Sequence, residues 1–269
     1  MTELIDVIEG RKQWTVINAD SLATLTELPS QCVDALISDP PYSSGGAFRG
    51  DRMVSTGSKY VGSNVQVVRS DFHGDNRDQR SFSYWCALWL SEALRASRPS
   101  SPCALCIDWR QLPSLSDAIQ AGGWMWRGVA VWDKTEGVLP QLGRFRQQAE
   151  FVVWGSNGPM PLRADVGALP GVFRFNRDEE SKIHQTGKPV GLMMELVRVC
   201  PPGGIVLDPF CGSGSTGVAA LRQGRRFIGI EISTEWHRVA CERLEAEERQ
   251  LSHTAAKSGQ CSIFDLETA

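Results

Sequence analysis

Ile205-Val-Leu-Asp-Pro-Phe-Cys-Gly-Ser-Gly-Ser-Thr-Gly217 is an apolar run broken by a glycine-rich turn that opens directly into a helical stretch. Gly212, Gly214 and Gly217 stand in the G-x-G-x-x-G spacing of a nucleotide-binding strand–turn–helix unit. The next apolar strand, Phe227 to Glu231, ends on a carboxylate about 20 residues further on, where an acid can accept hydrogen bonds from both ribose hydroxyls of an adenosine. Little chain follows Glu231, because the sequence stops at Ala269. Such a unit needs neighbouring strands, so the residues that precede the ligand turn must complete its sheet.

The N-terminal sequence has the required alternation. Thr15 to Asn18 reads as a strand, Ser21 to Leu28 as a helix, and Val33 to Ser38 as a strand that stops abruptly at Asp39-Pro-Pro-Tyr42, since proline cannot continue a paired strand. Residues 43–80 carry Gly, Ser, Arg and Asp with little apolar periodicity and read as a mobile basic loop. Phe82 to Ala96 then places Trp85, Leu88, Trp89 and Leu94 at helical spacing. Strand Ala104 to Asp108, helix Leu112 to Ala121, and strands Trp124 to Trp132 and Phe151 to Trp154 follow. Gly137 to Arg146 is loop-like, and Gly155 to Glu180 is rich in Gly, Pro and Arg with no strand or helix pattern. Helix Val190 to Val199, strand Ile205 to Leu207, helix Thr216 to Gln223, strand Phe227 to Glu231 and helix Glu235 to Arg249 complete the series, with a polar tail from Ser252. The pattern predicts an α/β fold, and with no clean boundary along it residues 1–269 read as a single domain.

Hydrophobic residues make up 42% of the chain, enough for a sizeable core. No apolar stretch approaches the roughly 20 residues of a membrane span, and Met1 to Trp14 lacks the apolar run of a signal peptide, so a cytoplasmic protein without membrane contact is expected. The net charge of −3 does not exclude a polyanionic partner. From Glu235 onward seven acidic residues face four basic ones, which leaves the rest of the chain neutral and able to carry a basic face. Eight scattered cysteines read as buried thiols, and Cys103-x-x-Cys106 lies inside an apolar run as part of a core strand. His73, His237 and His253 form no metal pattern.

Asp39-Pro-Pro-Tyr42 sits at the carboxyl end of its strand, the edge where open α/β sheets bind ligands, and so does the glycine turn. If the two strands are neighbours, both tips face one crevice. A carboxylate close to the glycine turn, at Asp208, suits a sulfonium and amino-acid ligand better than a pyrophosphate. Beside a methyl donor, the Asp39 carboxylate and the Pro40 carbonyl can each accept one hydrogen of an exocyclic amine, which localises its lone pair. Pro40 and Pro41 hold these acceptors rigidly, and Tyr42 offers a stacking face for a base.

Asp39-Pro-Pro-Tyr42, His184-Gln-Thr-Gly-Lys-Pro189, Asp208-Pro-Phe-Cys-Gly-Ser-Gly214 and Phe227-Ile-Gly-Ile-Glu231, in that order, resemble the β group of amino-methylating DNA methyltransferases, whose catalytic motif precedes the cofactor motif. Arg144-Phe-Arg-Gln-Gln-Ala-Glu150 is similar to a further segment of that family. The resemblance implies a Rossmann-like sheet, mostly parallel with one antiparallel strand, in circularly permuted motif order. It implies S-adenosylmethionine as donor: Asp20 and Phe210 near the adenine, Glu231 on the ribose, Gly212, Ser213, Gly214 and Ser215 along the methionine part, with Asp39, Asp208, Lys188 and Pro189 completing the site. Gly187, where larger polar residues are common, and Cys211, in place of a frequent Ala, depart from the pattern. A homodimer is also implied by the resemblance.

Double-stranded DNA is the expected partner, with its target base flipped out of the helix. Arg49, Arg52 and Lys59 in the basic loop, and Lys134, Arg144, Arg146 and Gln148 in a target-recognition region spanning residues 134–182, are the candidate contacts. No restriction-endonuclease module is visible, and a separate one is a candidate partner. Asp rather than Ser ahead of Pro-Pro-Tyr points to adenine N6 over cytosine N4. Two readings of other classes stay open: a nicotinamide-dependent oxidoreductase, which leaves Asp39-Pro-Pro-Tyr42 without a role, and a DNA-binding protein that has lost catalysis.

Overall fold

A computed structural model describes residues 2–43, 77–135, 142–164, 166–176 and 187–257, the side chains of 251–257 excepted. Arg49, Arg52, Lys59, His73, His184 and the side chain of His253 lie outside that description, as does nearly all of the loop expected over 43–80. The elements are α1 (Thr2–Ile8), β1 (Trp14–Asn18), α2 (Ser21–Glu27), β2 (Ala35–Ser38), α3 (Gln79–Ala96), β3 (Pro102–Ile107), α4 (Leu112–Ala121), β4 (Met125–Asp133), β5 (Ala149–Ser156), β6 (Val172–Arg174), α5 (Val190–Val197), β7 (Ile205–Asp208), α6 (Ser215–Arg222), β8 (Arg226–Glu231) and α7 (Thr234–Lys257). The strands form one eight-stranded sheet in the order β1-β8-β7-β2-β3-β5-β4-β6. Every neighbouring pair is parallel except the two that β5 makes, with β3 and with β4. The single reversed strand and the N-terminal completion of the sheet both match the sequence reading.

Local chemistry sets the ends of the helices. Asp20 caps α2 by accepting from the Ala23 N–H at 2.9 Å, and Asp78 caps α3 by accepting from the Ser81 N–H at 2.9 Å. Pro113 lies in the first turn of α4, where its missing N–H costs nothing, and Gly122-Gly123 follow its end. Strands β2, β3 and β7 are buried along their whole length, as strands covered on both faces must be. One core lies between the sheet and α1–α4, around Trp89, Phe82 and Leu105; the other lies between the sheet and α5–α7, around Phe227, Met193 and Leu244. Cys103 belongs to the first core and Cys106 to the second, because residues three apart on a strand point to opposite faces. The C-x-x-C is therefore no pair at all.

Gly217 is required by packing rather than by a ligand. A Cβ there would come within 2.7 Å of the Phe227 ring and 2.8 Å of Leu244, so α6 can press onto β8 and α7 only without a side chain. Three elements differ from expectation. α1 forms because Leu4 and Val7 are buried against the sheet despite their charged neighbours. β6, only three residues long, extends the sheet edge inside the Gly-, Pro- and Arg-rich stretch where no strand is expected, with Phe173 buried. α7 runs on to Lys257, through the residues read as a polar tail.

Candidate active site

Because β1, β8, β7, β2 and β3 are parallel neighbours, their carboxyl ends share one edge. The reversed β5 begins at that edge, opposite Ile107 and Asp133, where β3 and β4 end. Asp20, Asp39, Asp208, Glu231, Lys134 and Glu150 are thus gathered from segments remote in sequence.

The turn after β7 is held from beneath by Asp208. Its buried carboxylate accepts from Ser38 Oγ at 2.6 Å, from Thr216 Oγ1 at 2.6 Å and from the Phe210 N–H at 3.1 Å. Burial pushes Asp208 up to about 6, and the hydroxyls of Ser38 and Thr216 oppose that rise. The expected cofactor residue Asp208 is in this way a strut that ties the tip of β2 to the tip of β7. Gly214 enters α6 at φ 82, a left-handed conformation suited to glycine. Arg243 of α7 donates to the Ser213 carbonyl at 2.7 Å and fixes the turn from the other side.

Glu231 faces the same turn. One carboxylate oxygen accepts from the Gly212 N–H at 2.9 Å and the other from the Ser233 N–H at 2.8 Å. Burial raises its pKa and those two N–H groups oppose the rise. Each oxygen keeps a further lone pair, so the carboxylate is aimed and can still accept from a diol. Asn18 Nδ2 donates to the Glu231 carbonyl at 2.8 Å, which brings the β1 tip and Asp20 alongside. Ser21 Oγ donates to the Pro209 carbonyl at 2.5 Å, so the start of α2 meets Phe210. The Phe210 ring rests against Trp89 and Trp85, with centroids 5.1 and 5.2 Å away. Pro189 caps α5 directly after Lys188.

Across the Ser38–Asp208 tie lies the second half of the site. Asp39 Oδ2 accepts from Lys188 Nζ at 2.6 Å, while Asp39 Oδ1 is buried and without a hydrogen-bond partner among the described residues. An unpaired buried acceptor is costly to maintain and is commonly found where a ligand supplies the donor. Lys188, 7% exposed, also lies 3.5 Å from Glu150 Oε2 and 4.9 Å above the centre of the Tyr42 ring. Glu150 accepts from the Tyr42 hydroxyl at 3.3 Å and from Lys134 Nζ at 3.0 Å. Burial raises the Asp39 pKa from its ordinary value, and the Lys188 ammonium works against that rise. Burial would discharge Lys188, but Asp39 and Glu150 outweigh it and hold its pKa above the ordinary value. Burial, with Asp39 and Glu150 nearby, also keeps the Tyr42 hydroxyl protonated.

Of the residues expected at DNA, Lys134 turns inward onto Glu150, and Gln148 Nε2 donates to Asp133 at 3.1 Å. Their side chains are engaged within the protein because strand pairing draws both toward the β4–β5 end. Arg144 is exposed and Arg146 half-buried in the segment leading into β5, with Phe145 fully exposed between them. Sequence reasoning gave no role to Glu150 or to Trp132, whose ring centre lies 5.9 Å from Lys188 Nζ. The available signals were the family-like segment Arg144 to Glu150, which ends on this carboxylate, and the apolar run Phe151 to Trp154 that follows it.

A mostly parallel sheet with one reversed strand, a glycine turn facing a ribose-type acid, and a catalytic-type carboxylate on the adjacent tip define an α/β methyltransferase. The family described as DNA methylase matches residues 33–242, and the chain belongs to it. That membership removes the oxidoreductase reading. Among its relatives, the chain is 28% identical over 241 residues to the putative methylase YubD of Escherichia coli K12, covering 89% of this chain and 94% of that one. It is 24% identical over 275 residues to the type II methyltransferase M.ScaI of Streptomyces caespitosus, covering 87% and 82%. Solved structures with the same fold include the M1.HpyAVI–SAM complex, at TM-score 0.62 and 22% identity, covering 86% of this chain and 98% of that one. The PvuII DNA methyltransferase, described as cytosine-N4-specific, aligns at TM-score 0.64 and 16% identity, covering 89% and 92%.

Proposed function

We propose that this protein methylates the N6 amine of adenine in duplex DNA, with S-adenosylmethionine as the donor. The observation that carries the proposal is Asp39 Oδ1: a buried acceptor next to Tyr42, on the strand tip adjoining the glycine turn. An exocyclic amine has hydrogens to give such an acceptor and a flat ring to lay on Tyr42. When bound, S-adenosylmethionine supplies an electrophilic methyl on a sulfonium. Glu231 would hold its ribose, Asp20 and Phe210 its adenine, and Gly212 to Ser215 its methionine part, with Lys188 and Pro189 closing the site.

Asp39 draws one amine hydrogen and the Pro40 carbonyl the other, so the nitrogen lone pair is released from the ring and directed at the methyl. That pair would form the new N–C bond while the methyl leaves sulfur, which keeps the S–C bonding electrons, and the surplus amine proton would then pass to solvent. Positive charge therefore moves onto the nitrogen, where the Asp39 carboxylate stabilises it. Lys188 keeps that carboxylate ionised in its buried setting. Flipping the base costs a few kcal/mol, which contacts from Tyr42 and from Arg144 and Arg146 at the same edge would offset.

Asp ahead of Pro-Pro-Tyr favours adenine, whereas the similarity to a cytosine-N4 enzyme keeps cytosine as the alternative. Mass spectrometry of nucleosides from a methylation-free host expressing the chain is expected to find N6-methyladenine. N4-methylcytosine without N6-methyladenine would overturn the adenine assignment and leave the family unaffected.

A further inference from the structure

Four ionised side chains alternate in sign along the buried side of Tyr42. Lys134 Nζ lies 3.0 Å from Glu150, Glu150 lies 3.5 Å from Lys188 Nζ, and Lys188 Nζ lies 2.6 Å from Asp39. These four side chains carry two charges of each sign, which suits their burial. The reaction needs Asp39 as an acceptor, yet its ammonium partner competes for the same carboxylate. Lys188 has three N–H groups and lies over the ring on which a base would stack, so it can cover both carboxylate oxygens unless something else holds it.

We propose that Glu150 is the positioning residue that prevents this: kept in place by Lys134, it holds the Lys188 ammonium and the Tyr42 hydroxyl so that Lys188 engages only Oδ2 of Asp39 and Oδ1 stays open to the amine. Glu150 has the right reach, because its two oxygens divide the work. Oε1 takes Lys134, while Oε2 takes the Tyr42 hydroxyl and faces Lys188. Removing the Glu150 charge adds one unit of positive charge to the site where positive charge must develop on the amine. Removing the Lys134 charge has the opposite fault, since Glu150 with one ammonium fewer pulls harder on Lys188 and draws it away from Asp39. Removing both leaves the net charge of the site unchanged, and the amide oxygen of a glutamine can still accept from Tyr42 and Lys188.

The inference rests on the reading of Asp39 as the amine acceptor, and a charge-matched cycle tests it separately. Transfer of labelled methyl from S-adenosylmethionine to DNA from a methylation-free host would be followed in single turnovers for Glu150→Gln, Lys134→Met and the double variant. Each single change is expected to slow transfer at least about ten-fold with the S-adenosylmethionine affinity and melting temperature kept, and the double variant to return to within about three-fold of the unaltered protein. A double variant whose loss equals the product of the single losses, or a Glu150→Gln protein at full rate, would overturn the inference. Should Glu150→Gln fail to fold, Lys134→Met decides alone, since a full rate there leaves the cluster without a role. Asp39→Ala run alongside reports on the underlying reading: a full rate in that variant removes the reading itself, not merely Glu150.

Discussion

Asp39→Ala is expected to slow methyl transfer by about 10²- to 10³-fold or more, the scale of losing one preorganised hydrogen-bonding group at a reaction centre. The variant loses the acceptor Oδ1 and the negative charge that the cationic nitrogen requires, and it leaves Lys188 beside the amine with no carboxylate between them. Asp39→Asn should do no better. Lys188 would claim the amide oxygen and turn the NH₂ group toward an amine that is itself a donor. Binding of S-adenosylmethionine should change little in either variant, since the turn and Glu231 are untouched. Lys188 keeps Glu150 3.5 Å away, which limits the cost to the fold. Single-turnover rates beside a calorimetric titration make the measurement, and near-normal transfer in either variant would refute the role given to Asp39. The same experiment disposes of the idea that the protein binds DNA without acting on it.

Glu231→Ala is expected to weaken S-adenosylmethionine binding by at least about 100-fold. Two charge-assisted hydrogen bonds to the ribose contribute about 1.5–3 kcal/mol each, and about 1.4 kcal/mol corresponds to ten-fold in affinity. The N–H groups of Gly212 and Ser233 also lose their acceptor, so the turn itself slackens. Glu231→Gln retains one acceptor oxygen and should lose only about ten-fold. At saturating S-adenosylmethionine both variants should still transfer methyl groups at much of the normal rate, because the amine-holding half is intact. An unchanged dissociation constant for Glu231→Ala would refute the ribose assignment.

Some of this was legible in the sequence because strand tips announce themselves. Pro40-Pro41 must end a strand, and Gly212 and Gly214 must turn one, so both ligand-bearing segments could be placed on one edge before any coordinates. Whether Asp39 faces the turn was left conditional on strand order, and β2 and β7 are parallel neighbours. The partners of Asp39 were harder to see. Glu150 ends the family-like segment that starts at Arg144, yet nothing local tells whether its carboxylate points to solvent or to a lysine that pairs across the sheet. Lys134 looked like a phosphate contact for the same reason: charge is visible in a sequence, but its direction is set by the β4–β5 register. Asp208 was placed near the cofactor by motif; what the sequence did not show is that it also ties β2 to β7 by accepting from Ser38, Phe210 and Thr216. β6 escaped notice because three residues carry no readable period.

The Lys134–Glu150–Lys188–Asp39 row also separates two stages by their response to ionic strength. Dissolved ions screen exposed charges within about 8–10 Å at physiological salt, and they compete directly for phosphates. They screen far less among Lys134, Glu150 and Lys188, which are 10%, 11% and 7% exposed, and only Asp39, at 22%, opens further toward the pocket. Added electrolyte therefore acts mainly on how often a duplex is captured, and much less on the bond-making event beside the buried row.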